Sequence, residues 1–100
     1  MSEEVLQAIE NINKTGKIVK GTNEVTKALE KGTAKLVVVA QDVNPKEIVM
    51  HLPILAKEKG AKYAEVNSKE ELGAAAGLPR PTAAIAVVDA GDAEAIIKNL

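Results

Sequence analysis

The sequence has no cysteine, tryptophan or phenylalanine, and it has a single tyrosine among its 100 residues. Without cysteine, neither a disulfide framework nor a metal site with thiolate ligands can form, and a reducing compartment fits this composition. Many domains that bind single-stranded nucleic acid hold bases on aromatic side chains, and this chain lacks such a platform. Binding must therefore rest on oxygen, nitrogen and aliphatic groups.

An excess of charge of one sign is also lacking. The 13 lysines and arginines stand against 14 aspartates and glutamates, for a formal net charge of -1, whereas a nucleic-acid-binding domain is typically basic. The balance is uneven along the chain, because residues 14–35 contain six lysines and two glutamates, which gives +4. This stretch predicts one basic face for a polyanion. Ordinary solubilising lysines are the alternative.

Long hydrophobic runs are missing as well. No apolar run approaches the roughly 20 residues that cross a bilayer, and the first residues, Met-Ser-Glu-Glu, are acidic where a secretory signal is basic. We therefore expect a cytoplasmic protein with no membrane partner. A chain of 100 residues that is 46% hydrophobic suits a single domain, residues 1–100, with a core of its own.

The spacing of apolar residues predicts alternating helices and strands. Helices are expected at 4–13, at 23–31, from residue 44, at 68–76 and at 92–99, and strands at 17–20, 35–40, 63–66 and 83–88. The run at 35–40 is apolar on both faces, which is typical of a central strand covered on each side. The order predicts an α/β domain with helices on both faces of a sheet of about four strands.

Capping residues mark several of the expected helix boundaries. Ser2 is a candidate N-cap for the first helix, Asn44 before Pro45 for the third, and Ser68 for the fourth. Pro53 removes one helical hydrogen bond, so the third helix is expected to kink or split there.

The segment 20–27 is the most informative for function. Gly21 permits close approach of the backbone, and the helix start that follows offers free N–H groups to an anion. Asn23, Glu24 and Lys27 project from the first turn and a half. An amide both donates and accepts, a carboxylate accepts from guanine N–H groups, and an ammonium reaches a base carbonyl or a phosphate. The combination favours a surface that reads RNA.

Two other interpretations of this segment explain less. A nucleotide phosphate loop is disfavoured because neither the P-loop nor the dinucleotide glycine pattern is present. Helix capping by Thr22 or Asn23 accounts for the polar residues but leaves Glu24 unexplained.

Four separated motifs resemble one known family. They are Gly-Thr-Asn-Glu-Val-Thr-Lys at 21–27, Ala-Lys-Leu-Val-Val-Val-Ala-x-Asp-Val-x-Pro at 34–45, His-Leu-Pro at 51–53, and Ser-Lys-x-x-Leu-Gly-x-Ala-x-Gly-Leu at 68–78. In this order, over nearly the whole chain, they are similar to the archaeal kink-turn-binding ribosomal proteins of the L-seven-Ae family. The resemblance implies a three-layer α-β-α sandwich with a mixed sheet. It also implies binding to kink-turn RNA, a sharply bent helix–bulge–helix with tandem sheared G·A pairs.

The resemblance further implies a set of site residues. The first turn of the second helix would contact the guanines of the G·A pairs, with backbone close to phosphates, and Asp42 would support that surface. Side chains around the bulge would surround its flipped-out nucleotide, and the loop at 78–80 would cover it. Asn44 suits either this role or its capping role. The implied RNA-binding set is Lys20, Gly21, Thr22, Asn23, Glu24, Lys27, Asp42, Asn44, Ile48, Lys69, Leu78, Pro79 and Arg80.

The partners implied by the resemblance are RNAs and the proteins assembled on them. They are ribosomal RNA in the large subunit, guide RNAs in box C/D and H/ACA particles, and, as a further candidate, the RNA of the tRNA-processing ribonuclease P. When free of RNA the chain is expected to be a monomer.

No catalytic or metal-binding constellation stands out in the sequence. His51 is the only histidine, and we expect it to pack or cap. Ser68 lacks a nucleophile-elbow pattern, and its capping role already accounts for it. We therefore predict no enzyme activity, no metal and no cofactor. Acidic residues are expected to form a solvated far face, with the docking of protein partners as the alternative; they are Glu70, Glu71, Asp89, Asp92 and Glu94.

An alternative function is a small α/β domain that binds a protein or a ligand through the same helix start, without kink-turn specificity. Glu24 discriminates between the two functions, because a carboxylate repels a phosphate but is needed to read guanine N–H groups.

Overall fold

The structure is a computed structural model, and it describes residues 2–42 and 50–89. Within these ranges the helices and strands alternate along the chain. They are α1 (Ser2–Thr15), β1 (Lys17–Lys20), α2 (Thr22–Lys31), β2 (Leu36–Ala40), α3 (His51–Glu58), β3 (Lys62–Val66), α4 (Lys69–Ala75) and β4 (Ala84–Asp89). The predicted helix start at 44–45 and the predicted last helix at 92–99 lie outside the described residues.

The strands form one mixed sheet in the order β1-β4-β2-β3. β4 pairs antiparallel with both β1 and β2, whereas β2 and β3 are parallel. Every residue of β2 is buried, and so are the first four residues of β4. Because successive side chains of a strand point to opposite faces, burial of every residue requires cover on both faces. This confirms the predicted central strand and its two-sided cover.

The helices cover the sheet in two pairs. α1 contacts α4, α2 contacts α3, and all four contact strands. α1 and α2 bury apolar stripes at helical spacing, and the largest fully buried members are Ile9, Ile12, Val25 and Leu29. The predicted α/β class with a mixed sheet of four strands is confirmed for the described part of the chain.

Both ends of α1 differ from their prediction, whereas α3 begins close to the predicted break at Pro53. α1 extends two residues further at each end than the apolar spacing predicts, so Ser2 lies within the helix and not before it. α3 begins at His51, which places Pro53 in its first turn. Because the first N–H groups of a helix have no partner within it, proline is tolerated there.

The lone tyrosine is the second residue of the edge strand β3. Tyr63 is half-buried, and its phenol donates a hydrogen bond to Oε2 of Glu65 at 3.2 Å. Burial, then the charge of Glu65, then this hydrogen bond raise the pKa of Tyr63 from 10.0 to about 12. The phenol therefore stays neutral in the folded protein at pH values where an unfolded chain would ionise.

We expect the phenolate absorbance, which reports Tyr63 alone, to rise with a midpoint near pH 12 in the folded protein. The stabilisation from this group is fully present below pH 10 and is lost as the pH rises from about 10 towards 12, because folding favours the protonated phenol. Circular dichroism at each pH checks that the protein stays folded. Glu65→Gln should lower the midpoint only in part, since burial remains, and a folded-state midpoint at 10 contradicts the prediction.

Candidate RNA interface

The strand directions bring most of the predicted site residues to one end of the sheet. Here β1, β2 and β3 end and β4 begins. We call this end of the sheet, which is distinct from its edge strands, the candidate edge. It comprises residues 20–27, 40–42, 66–71 and 78–84. Backbone hydrogen bonds close it, since the N–H of Gly21 donates to the carbonyl of Ala84 at 2.9 Å and the N–H of Ala40 to that of Ala83 at 2.9 Å. Segments far apart in sequence therefore share one surface.

The first turn of α2 lies at the candidate edge without a side-chain cap. Its N-cap is Gly21, with φ 94° and ψ 147°, a conformation that essentially only glycine adopts. Thr22 is the first helical residue, so the predicted alternative of capping by Thr22 or Asn23 is wrong. No described side chain caps this start, and its N–H groups remain available to an anion.

Three polar side chains predicted to read RNA project from this turn. Asn23, Glu24 and Lys27 are all exposed, and Oε1 of Glu24 lies 3.7 Å from Nζ of Lys27. Their side chains are 59% and 65% exposed, and such a pair on a helix surface stabilises by only about 0.3–0.5 kcal/mol. Separating the pair therefore costs little, and both groups can engage a new partner.

Behind this turn a threonine joins α2 to α3. The hydroxyl of Thr26 donates to the carbonyl of Thr22 at 2.8 Å, and its oxygen lies 2.8 Å from Nε2 of His51. Because the hydroxyl has one proton, His51 is the donor in the second bond. His51 is exposed and joins two helices, so its role in the structure is a hydrogen bond between α2 and α3 and not burial in the core. No pattern in the sequence pairs Thr26 with a residue 25 positions away.

The neighbouring helix start, that of α4, is capped by the protein itself. Ser68 accepts from the N–H groups of Glu70 at 3.1 Å and Glu71 at 3.4 Å, which confirms its predicted role. Asp42 accepts from the N–H of Lys69 at 2.8 Å through Oδ1. Asp42 thus fixes α4 to the end of β2, in line with the supporting role implied for it.

The loop after α4 places a basic side chain at the same edge. Leu78 is half-buried and packs against the core, whereas Pro79 and Arg80 are exposed. A shallow cavity of about 270 Å³ lies between the loop and α4; it is lined by Glu70, Ala74, Leu78, Pro79, Arg80 and Pro81. Leu78 is shared between the core and this surface. Asn44 and Ile48, the remaining predicted contacts, lie outside the described residues.

The lysines of residues 14–35 do not form one face. Lys20 and Lys27 lie at the candidate edge. Lys17 opens β1 and Lys35 precedes β2, both at the opposite end of the sheet, and Lys31 lies in the last turn of α2. The prediction of a single basic face is wrong, because each strand and the helix after it run in opposite directions and return the chain to the other end.

The candidate edge is electrically balanced. Glu70 and Glu71 occupy the first turn of α4, so their predicted place on a far face is also wrong. Among the described residues the edge carries equal numbers of charges: Lys20, Lys27, Lys69 and Arg80 against Glu24, Asp42, Glu70 and Glu71. An RNA bound there would depend on directed contacts more than on net charge.

Asp42→Ala removes the acceptor for the N–H of Lys69, and we expect the free energy of unfolding to fall by about 0.5–2 kcal/mol, as for the loss of a helix cap. Urea denaturation measures the change. Asp42→Asn retains an acceptor oxygen and should lose less, and Gln41→Ala, an exposed neighbour, should stay within about 0.5 kcal/mol of the wild type. Equal losses for Asp42→Ala and Gln41→Ala contradict the tie between β2 and α4.

The fold and the site together define a class: a small α/β sandwich with one polar, aromatic-free edge suited to base contacts. Among residues 2–42 and 50–89, no three His, Cys, Asp or Glu side chains are grouped so that they could hold a metal ion. A model of the Ribosomal protein L7Ae/L30e/S12e/Gadd45 family matches residues 3–97. The chain belongs to this family.

Two proteins similar to the chain are large ribosomal subunit proteins. The large ribosomal subunit protein eL8 of Haloquadratum walsbyi is 51% identical over 100 residues, which is 100% of this chain and 83% of that protein. eL8 of Nitrosopumilus maritimus is 53% identical over 96 residues, covering 96% of this chain and 75% of that protein.

A protein of known structure has a fold similar to that of this chain. The Giardia lamblia 15.5kD RNA binding protein superposes with a TM-score of 0.84 at 32% identity, covering 98% of this chain and 82% of that one. The family and this neighbour support a ribosomal, RNA-binding function and not that of an enzyme. In the described part of the chain, every helix is too short or too polar to span a membrane.

Proposed function

We propose that this protein recognises and stabilises kink-turn RNA through the candidate edge. Asn23, Glu24 and Lys27 contact the guanines of the sheared G·A pairs, while the uncapped N–H groups after Gly21 lie against phosphates. Arg80 and Lys69 flank the flipped-out bulge nucleotide, together with Asn44 and Ile48. The observation that carries the proposal is the meeting of the open start of α2 and the loop at 78–80 on one edge.

The chemistry of the edge suits unpaired and sheared bases. Side chains cannot read the deep, narrow groove of duplex RNA, so sequence-specific recognition targets bases that are splayed or non-canonically paired. Glu24 accepts from guanine N–H groups, and the same carboxylate disfavours a bare phosphate at that position. Its presence supports base reading over the alternative of a ligand site without kink-turn specificity.

Stabilisation of the bend follows from differential affinity. A kink-turn exchanges between bent and extended states, and the edge contacts bases that are presented together only in the bent state. A protein that binds one state more tightly shifts the population towards it by that difference in affinity. The protein thereby fixes a bent RNA for assembly of a larger particle.

The particles we propose are the large ribosomal subunit and the box C/D and H/ACA guide-RNA particles. The RNA of ribonuclease P is a further proposed kink-turn RNA. The eL8 relatives support the first of these. With this role the protein is a cytoplasmic, single-domain monomer until it meets its RNA and the protein components of the particle.

Kink-turn RNA with its sheared G·A pairs should bind in a gel shift, and the same RNA with Watson–Crick pairs in their place should not. Glu24→Ala should weaken binding by roughly 5- to 150-fold, because a good base contact discriminates by about 1–3 kcal/mol. Glu30→Ala is the matched control, since Glu30 is exposed on the same helix in its last turn. Equal binding to both RNAs rejects the proposal, and equal losses for the two variants reject the role of Glu24.

Lys27→Ala should weaken kink-turn binding, and the salt dependence shows which group the lysine contacts. A lost phosphate contact lowers the slope of log K against log salt by about 1, whereas a lost base contact leaves the slope unchanged. Lys31→Ala removes the same charge at the opposite end of the sheet and should leave the affinity close to that of the wild type. Similar losses in both variants would indicate a general charge effect and contradict a directed contact.

A further inference from the structure

Gly73 is a glycine where the backbone does not require one. It is a buried residue in the middle of α4, and it is not among the glycines with positive φ. A glycine inside a helix destabilises it by roughly 0.5–1 kcal/mol relative to alanine. The residue therefore calls for an explanation other than backbone conformation.

The lack of space for a Cβ atom explains why residue 73 is a glycine. A Cβ built on Gly73 would overlap the carbonyl oxygen of Arg80, and it would lie 3.1 Å from the carbonyl carbon of Arg80 and 3.1 Å from Cα of Pro81. All of these atoms belong to the backbone, so no side-chain rotation relieves the overlap. Only glycine lets the loop pass this close to α4.

The loop is tied to α4 on both sides of this contact. Before it, the N–H of Leu78 donates to the carbonyl of Gly73 at 2.9 Å; after it, the N–H of Thr82 donates to the carbonyl of Lys69 at 3.1 Å. The Thr82 hydroxyl is buried and donates to the carbonyl of Ala84 at 3.2 Å, which fixes the end of the loop to β4. Prolines at 79 and 81 restrict φ on either side of Arg80.

We infer that Gly73 is a positioning residue that sets the place of the turn at Pro79 and Arg80, and thereby which unpaired bulge nucleotide the protein accepts. The inference rests on the proposed function, because it concerns the same edge. Gly73 touches no RNA. It acts through the backbone of Arg80, whose side chain is exposed beside the cavity between α4 and the loop.

A methyl group at position 73 should move this turn by roughly 1 Å, the distance needed to restore van der Waals contact. The start of α2 lies on another segment of the edge and should not move with it. Gly73→Ala should therefore change contacts to the bulge nucleotide and leave contacts to the G·A pairs intact. A general loss of stability would instead weaken both.

The test uses the full chain and five kink-turn RNAs: four that differ only in the unpaired bulge nucleotide, and one whose G·A pairs are replaced by Watson–Crick pairs. Titrations give the dissociation constants of the wild type and of Gly73→Ala. The ratio between the best and worst bulge nucleotides should change by about fivefold or more, the effect of one base contact. The ratio for loss of the G·A pairs should stay the same.

Gly60→Ala is the matched control for general destabilisation. Gly60 has φ +73°, so alanine is strained there, but nothing lies within 4 Å of its Cβ position and it precedes β3 at the opposite end of the sheet. Its nucleotide ratios should equal those of the wild type. If Gly73→Ala does not fold, Pro81→Gly loosens the same turn from an exposed position and should change the bulge ratio in its place.

The outcomes separate the inference from the proposed function. If the wild type binds the G·A-deficient RNA as well as the others, the proposed function fails. If the wild type requires the G·A pairs but neither Gly73→Ala nor Pro81→Gly alters the bulge ratio, the inference fails alone. Parallel changes in the bulge and G·A ratios, or the same changes in Gly60→Ala, also overturn it.

Discussion

The antiparallel placement of β4 between β1 and β2 determines where the candidate residues described by the structure lie. Because β1, β2 and β3 all run towards the start of β4, the segments that follow these three strands meet the loop that precedes the fourth. The hydrogen bonds from Gly21 to Ala84 and from Ala40 to Ala83 close this meeting point. A reversed β4 would carry the loop at 78–80 to the other end of the sheet and separate it from α2.

The meeting of these segments at one end of the sheet also explains how a chain of net charge -1 can bind RNA. Non-specific attraction of a protein to the RNA backbone increases with its positive charge. At the candidate edge the described positive and negative side chains are equal in number. In the proposed function, selectivity there depends on hydrogen-bonding geometry, as in the proposed contact between Glu24 and a guanine edge. Balanced charge also limits non-specific attraction to RNA. The equal numbers of positive and negative charges at the candidate edge are therefore compatible with recognition of a single RNA motif.

Local signals in the sequence predicted the elements, whereas contacts between distant segments could not be predicted from it. The strand at 17–20 and the cap at Ser68 follow from residue types within a few positions of one another, and the structure confirms both. The bond between Asp42 and Lys69 spans 27 positions, and it exists because parallel pairing of β2 with β3 brings two strand ends together. The prediction of one basic face from the lysines of residues 14–35 is wrong for the same reason. The sequence does not show to which end of the sheet the chain returns after each strand.

The two helix starts at the candidate edge differ in whether their backbone N–H groups are available to a ligand. The N–H groups of Lys69, Glu70 and Glu71 are taken by Asp42 and Ser68, and two of those residues bring acidic side chains. At the start of α2 the cap is a glycine, which has no side chain to compete for the N–H groups. The exposed Glu24 and Lys27 beside it are held only by a weak mutual contact. The edge thus combines a closed helix start that fixes its shape with an open one that is free to bind.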